Sequence, residues 1–123
     1  MVRIACASLF ATLFALPAHS AVAAEKYPQK PIRLVVPFAP GGGTDLLARA
    51  VSEKLPAVLG TTVIVDNRPG AGGTLGAALA ARAAPDGYTF LFTSASYTFA
   101  PSVYKDLPYD PLKDFKPVTM FGS

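Results

Sequence analysis

The sequence predicts an α/β fold built on a parallel sheet. Short apolar or β-branched runs alternate with stretches of helical periodicity. Each run ends in a polar or glycine-rich loop, and two of these loops open directly onto a helical stretch. Strand, loop and helix follow one another twice, with a third strand after them. Alternation of this kind implies parallel strands joined by right-handed crossovers.

Tyr27-Pro28-Gln29-Lys30-Pro31 is an extended lead-in, because residues before proline avoid the helical region. Ile32 to Val36 is the first strand, stopped by Pro37 and Pro40. Its last three residues are apolar in succession, which suits a strand covered on both faces. Gly41-Gly42-Gly43-Thr44-Asp45 follows, with Thr44 as the expected N-cap and Asp45 favouring the dipole of the first turn. Leu47, Ala50, Val51, Leu55 and Val58 then recur at helical steps. Pro56 should kink this helix or start an extra turn, and Gly60 should close it.

Thr61 to Val65 is the second strand and Asp66 to Gly73 the second loop. Thr74 to Ala84 is an alanine-rich helix, with Leu75, Ala78, Leu79 and Arg82 on its stripe. Pro85-Asp86-Gly87 is a turn, Tyr88 to Thr93 the third strand, and Thr93-Ser94-Ala95-Ser96 a third polar loop. Val103 to Lys116 has no clear period, and Phe115 to Phe121 reads as the start of another strand. The chain stops at Gly122-Ser123 with no closing helix, the pattern expected of a partial domain.

The amino terminus has a different character. Arg3 precedes Ile4 to Leu16, an uncharged, mostly apolar run. Pro17 and small residues follow, with Ala21-Val22-Ala23 fitting a small-x-small cleavage pattern. This is the layout of a secretory signal peptide over residues 1–23, and the run is too short for a membrane anchor. Cleavage after Ser20 is the alternative. Removal takes away the one cysteine and the one histidine, Cys6 and His19. The mature chain, 24–123, then has ten Lys and Arg against eight acids, a net charge of +2 with no basic run. It is expected to bind no nucleic acid, to hold no metal or cofactor, and to keep no membrane span. It folds without a disulfide, by core burial alone.

In an open parallel sheet, ligands bind at the carboxyl ends of the strands. All three loops lie there. The first two lead into helix amino termini, whose unpaired N–H groups and dipole attract anions. A small carboxylate or phosphate fits this chemistry; the alternative is that the glycines only make tight turns. The dinucleotide fingerprint fails, since Leu46 and Leu75 stand where its third glycine belongs. No Walker lysine follows either loop, and no Gly-x-Ser-x-Gly elbow is present. Asp45, Asp66 and Asp86 have plain readings as first-turn charge, strand-end charge and turn residue.

Four motifs in order carry a resemblance. Pro37-Phe38-Ala39-Pro40-Gly41-Gly42-Gly43-Thr44-Asp45, Val65-Asp66-Asn67-Arg68-Pro69-Gly70-Ala71-Gly72-Gly73, Pro85-Asp86-Gly87-Tyr88-Thr89 and Asp114-Phe115-Lys116-Pro117-Val118 resemble the tripartite tricarboxylate transporter receptors, also called Bug-type extracytoplasmic solute receptors. The resemblance implies a periplasmic-binding-protein (Venus-flytrap) fold of two α/β lobes, of which residues 24–123 would be a partial first lobe. It implies capture of a small organic carboxylate in the periplasm and delivery to membrane permease subunits, with no catalysis. Carried over, Phe38, Ala39, Gly41, Gly42, Thr44 and Asp45 would form one wall of the site. Asn67, Gly70, Ala71, Gly72 and Gly73 would form the second, and Thr93, Ser94 and Ser96 the third. Two other readings are an exported hydrolase-like α/β enzyme and a decayed, non-functional fragment.

Overall fold

The computed structural model describes residues 26–121. The signal-peptide reading of residues 1–23 lies outside them. The described chain forms a three-stranded parallel sheet in the order β2-β1-β3, with β1 at Ile32–Val36, β2 at Val63–Asn67 and β3 at Thr89–Leu91. Helix α1, Gly43–Leu59, links β1 to β2; α2, Thr74–Ala81, links β2 to β3; α3, Ser96–Val103, follows β3.

The apolar run of β1 divides by parity. Ile32, Leu34 and Val36 pack with Ala48 of α1 and Val63 of β2, joined by half-buried Leu55, Leu59, Val65 and Phe90. On the opposite face Leu91 packs with Ala77 and Ala78 of α2 and with Tyr109. Its register partner Val35 is fully buried. The sheet is therefore covered on both faces at the end of β1, which is why Leu34, Val35 and Val36 are apolar in succession, while Arg33 stays half-exposed and pairs with Asp66. The crossover from β1 to β2 and the one from β2 to β3 run in opposite directions across the sheet, and a common hand then puts α1 and α2 on opposite faces.

Several local expectations need correction. Residue Gly42, not Thr44, is the N-cap of α1, and it makes no side-chain cap bond. The buried face of α1 holds Asp45, Ala48 and Ser52, while Leu46, Leu47 and Val58 face solvent. The expected stripe is thus rotated by about one residue, roughly 100° of a helix with 3.6 residues per turn. Pro56 lies inside the helix, three residues before its end, and Gly60 closes it in the left-handed conformation at φ 70°. Strand β2 starts two residues later than Thr61, and both α2 and β3 are shorter than expected. No strand forms over Phe115–Phe121. Helix α3 has no counterpart in the sequence reading.

The aperiodic segment after α3 is ordered by aromatic contacts. Phe115 stands edge-on to both Tyr97 and Tyr109, at 5.7 and 5.9 Å between ring centroids. The Tyr97 hydroxyl donates to the Pro111 carbonyl at 2.8 Å. Asp110 accepts from the N–H groups of Leu112 and Lys113, and Asp114 accepts from the N–H of Asp110. At the other end of the sheet the lead-in is tied down. The Tyr27 hydroxyl donates to the Gly87 carbonyl, and Lys30 pairs with Asp86 and lies over the Tyr88 ring.

Candidate functional site

The three strands end at one edge, and the ladder carries the following loops out side by side. The Arg68 N–H donates to the Val36 carbonyl at 2.7 Å, and the Phe92 N–H to the Val35 carbonyl at 2.9 Å. The loop after β1 therefore emerges between the other two. In a sheet that begins 2-1-3, the crevice between β1 and β3 is the switch point where ligands bind.

Loops one and two are packed against each other. A Cβ at Gly73 would lie 3.5 Å from Pro37 Cβ, and one at Gly76 would fall 2.7 Å from it. Pro37 is fully buried, so it is the floor on which the start of α2 rests. Gly70, Gly72 and Gly73 all adopt positive φ, and Ala71 does so as well at 46°. A short 3-10 turn, Ala71–Gly73, feeds α2.

Asp45 and Asn67 bind these loops together from beneath. Asp45 is buried, with 2% of its side chain exposed. It accepts from Arg49 Nε at 2.9 Å, from the Gly41 N–H at 2.8 Å and from Asn67 Nδ2 at 2.9 Å. These donors, Arg49 foremost, hold the Asp45 pKa down at about 2. Asn67 Nδ2 also donates to the Phe38 carbonyl at 3.1 Å. Asp66 sits beside this group in an ion triad with Arg33 and Arg68. Burial pushes its pKa up, but the two guanidiniums outweigh burial and leave it lowered.

The sequence-predicted wall residues fall into three groups. Ala39, Gly41, Gly42, Ala71 and Gly72 are exposed, and Phe38, Thr44, Gly70 and Gly73 are half-buried, all at the β1 and β2 loops. The N–H of Gly41 is committed to Asp45, and that of Gly73 to the Gly70 carbonyl. The N–H groups of Gly43 and Thr44 are in the first turn of α1, where no carbonyl of the helix reaches them. Asp45 and Asn67 are engaged with protein partners. Thr93, Ser94 and Ser96 lie after β3, where Ser94 and Ser96 pair through their hydroxyls at 3.0 Å.

Three residues outside the predicted set take part. Arg49 reaches both Asp45 and Asn67, and the Asp-x-x-x-Arg spacing at positions 45 and 49 was its only signal. Gly76 permits the close approach of α2 to Pro37. The Tyr104 hydroxyl stands over Gly72, 2.8 Å from where a Cβ would be, and links the end of α3 to the second loop. No local pattern announces that contact.

A doubly covered parallel sheet with paired glycine loops at its carboxyl edge is the architecture of an open α/β fold, the class in which ligands sit at that edge. The chain matches the model of the tripartite tricarboxylate transporter family receptor over residues 47–123. It is 46% identical over 104 residues to Protein BugT of Bordetella pertussis, covering 83% of this chain and 32% of that protein. The structure is similar to periplasmic binding protein BugD, with a TM-score of 0.72, 49% identity, and coverage of 74% of this chain and 30% of that one. It is similar to MatC of Rhodopseudomonas palustris with bound malate at a TM-score of 0.69 and 40% identity, covering 75% and 32% of the two chains. For Rpa4515 of R. palustris with adipate the values are 0.66 and 37%, with 70% and 29% covered. The chain belongs to the tripartite tricarboxylate transporter receptor family, and it spans about a third of the length of these relatives.

Proposed function

We propose that this chain supplies one wall of a periplasmic receptor site for a small organic carboxylate, which the receptor delivers to membrane permease subunits. On this reading residues 1–23 are the export signal and 24–123 part of the first lobe. The observation that carries it is the pair of glycine loops at one sheet edge, each feeding a helix start, in a member of a receptor family. Phe38, Ala39, Gly42 and Thr44 face the ligand from the first loop. Gly70, Ala71, Gly72 and Gly73 face it from the second, and Thr93, Ser94 and Ser96 from the third. Gly41, Asp45 and Asn67 shape the first wall from behind. Uncommitted N–H groups at the start of α1 supply hydrogen bonds to a carboxylate without a cation of their own. Relatives named as binding malate and adipate support a dicarboxylate of that size. The fold neighbours are binding proteins, which supports capture rather than turnover.

Calorimetric titration of the chain with malate and adipate tests this. Binding of at least one diacid, and none of its neutral diamide, is the expected result. Equal heats from acid and diamide, or no heat from either acid, would overturn it.

A further inference from the structure

The side chains beneath the first loop form a closed ring. Arg49 donates through Nε to Asp45 Oδ2 and through Nη2 to Asn67 Oδ1, at 2.9 and 3.1 Å. Asn67 Nδ2 returns to Asp45 Oδ1 at 2.9 Å. From this ring one bond runs to the Gly41 N–H and another to the Phe38 carbonyl, at 2.8 and 3.1 Å. Both ends of the first loop are thereby held to the last residue of β2. The ring carries one positive and one negative charge, so it is neutral as a unit.

We infer that Arg49 is a positioning residue: it closes a charge-neutral latch with Asp45 and Asn67 that fixes the β1–α1 loop in its ligand-facing shape. The ligand part of this inference rests on the carboxylate reading of the loops. The latch does two things. It clamps loop one to β2, and it neutralises the buried Asp45 carboxylate directly under the amides that would receive an anion. Without Arg49 the carboxylate keeps only neutral donors. Its charge then acts on the same loop through a poorly screened interior, and it repels an arriving carboxylate.

A direct ligand contact by Arg49 is the competing explanation, since its side chain is 53% exposed. The two differ in a double variant. If Arg49 acts through Asp45, removing both charges leaves a neutral, hydrogen-bonded pair. The test compares wild type, Arg49→Gln and Asp45→Asn/Arg49→Gln in the full chain, titrated with malate and adipate. The latch predicts affinity about tenfold weaker in Arg49→Gln, the scale of one charge-assisted hydrogen bond, and mostly restored in the double variant. Equal losses in both variants would make Arg49 a ligand contact and overturn the inference.

Amide hydrogen exchange read by NMR supplies a ligand-free arm. The Gly41 N–H and the Asn67 side-chain amide should exchange about tenfold faster in Arg49→Gln, while strand amides at Leu34 and Val35 keep their protection. Exchange at both groups within about twofold of wild type would sink the latch. Should Arg49→Gln not fold, Arg49→Lys carries the same arm. Lysine keeps the charge but lacks the planar fork that meets both partners through separate nitrogens, so the Asn67 amide should be freed more than the Gly41 N–H. If wild type binds neither acid, the carboxylate reading fails on its own and exchange still decides the latch.

Discussion

At Gly76 two residue-scale effects oppose each other. Alanine is worth about 1 kcal/mol over glycine inside a helix. Yet an added Cβ at 76 would lie 2.8 Å from both Pro37 Cα and the Arg68 carbonyl oxygen, which are backbone atoms and cannot swing aside. Overpacking of this kind costs about 1–3 kcal/mol. Gly76→Ala is therefore expected to lower stability by about 1 kcal/mol net in urea unfolding, and an unchanged or raised midpoint would contradict it. Asp45 gives a pH dependence of definite sign. Its carboxyl is held at about 2 in the folded chain against an ordinary value of 3.8. A depressed folded pKa stabilises the fold above the unfolded value, and that stabilisation is lost as pH falls toward 2. The gap in thermal midpoint between wild type and Asp45→Asn should be widest near neutral pH and close between pH 4 and pH 2. A gap independent of pH would mean that the charge of Asp45 is not what the latch uses.

The elements differ in how plainly they are written in the sequence. Strand β1 is legible because its second half is buried on both faces, so the apolar succession Leu34, Val35 and Val36 is the signal. Helix α1 is legible in extent but not in phase. Its inner face holds Asp45 and Ser52, whose polar groups are satisfied inside: Asp45 in the latch, Ser52 by donating to the Ala48 carbonyl at 2.6 Å. Hydrophobicity therefore points to the wrong side. The glycine loops of the candidate site could be read directly, whereas the Arg49–Asn67 contact joins residues 18 apart and depends on where β2 ends. Helix α3 was obscured by its internal Pro101 and its Ser, Thr and aromatic composition. The segment after it has no period because its order comes from ring packing between distant positions. That packing centres on buried Tyr109. Tyr109→Ala should cost about 3 kcal/mol, as for other large buried aromatics, and should weaken the near-ultraviolet dichroism. Tyr97 offers a second check. Burial, with Tyr109 and nearby acids behind it, pushes its phenol up to about 12. A folded pKa raised above the unfolded value stabilises the chain below pH 10 and ceases to do so as pH rises through 12. Alkaline unfolding of Tyr97→Phe should therefore start from a lower stability but show a weaker pH dependence in that window.

At the scale of the whole described chain, several large apolar side chains on the helices face water. Leu46 and Leu47 in the first turn of α1 are 60% and 56% exposed, Leu75 at the start of α2 is 59%, and Phe99 of α3 is 65%. Single exposed leucines are ordinary, but adjacent ones such as Leu46 and Leu47 favour association. The fold also has little in reserve, with three strands among the described residues to offset the entropy of ordering them. These two features make separable predictions. Thermal unfolding of the chain should be cooperative, with a midpoint below about 45 °C, the lower end for mesophilic domains. Sedimentation velocity should show reversible association as concentration rises. Leu46→Ser/Leu47→Ser should suppress that association and leave the midpoint nearly unchanged, because neither side chain belongs to either core cluster. If the double variant instead melts earlier, these leucines support the fold itself. Association that persists in the variant would move the sticky surface to α3 and the segment after it, where Val103 and Leu112 are also exposed.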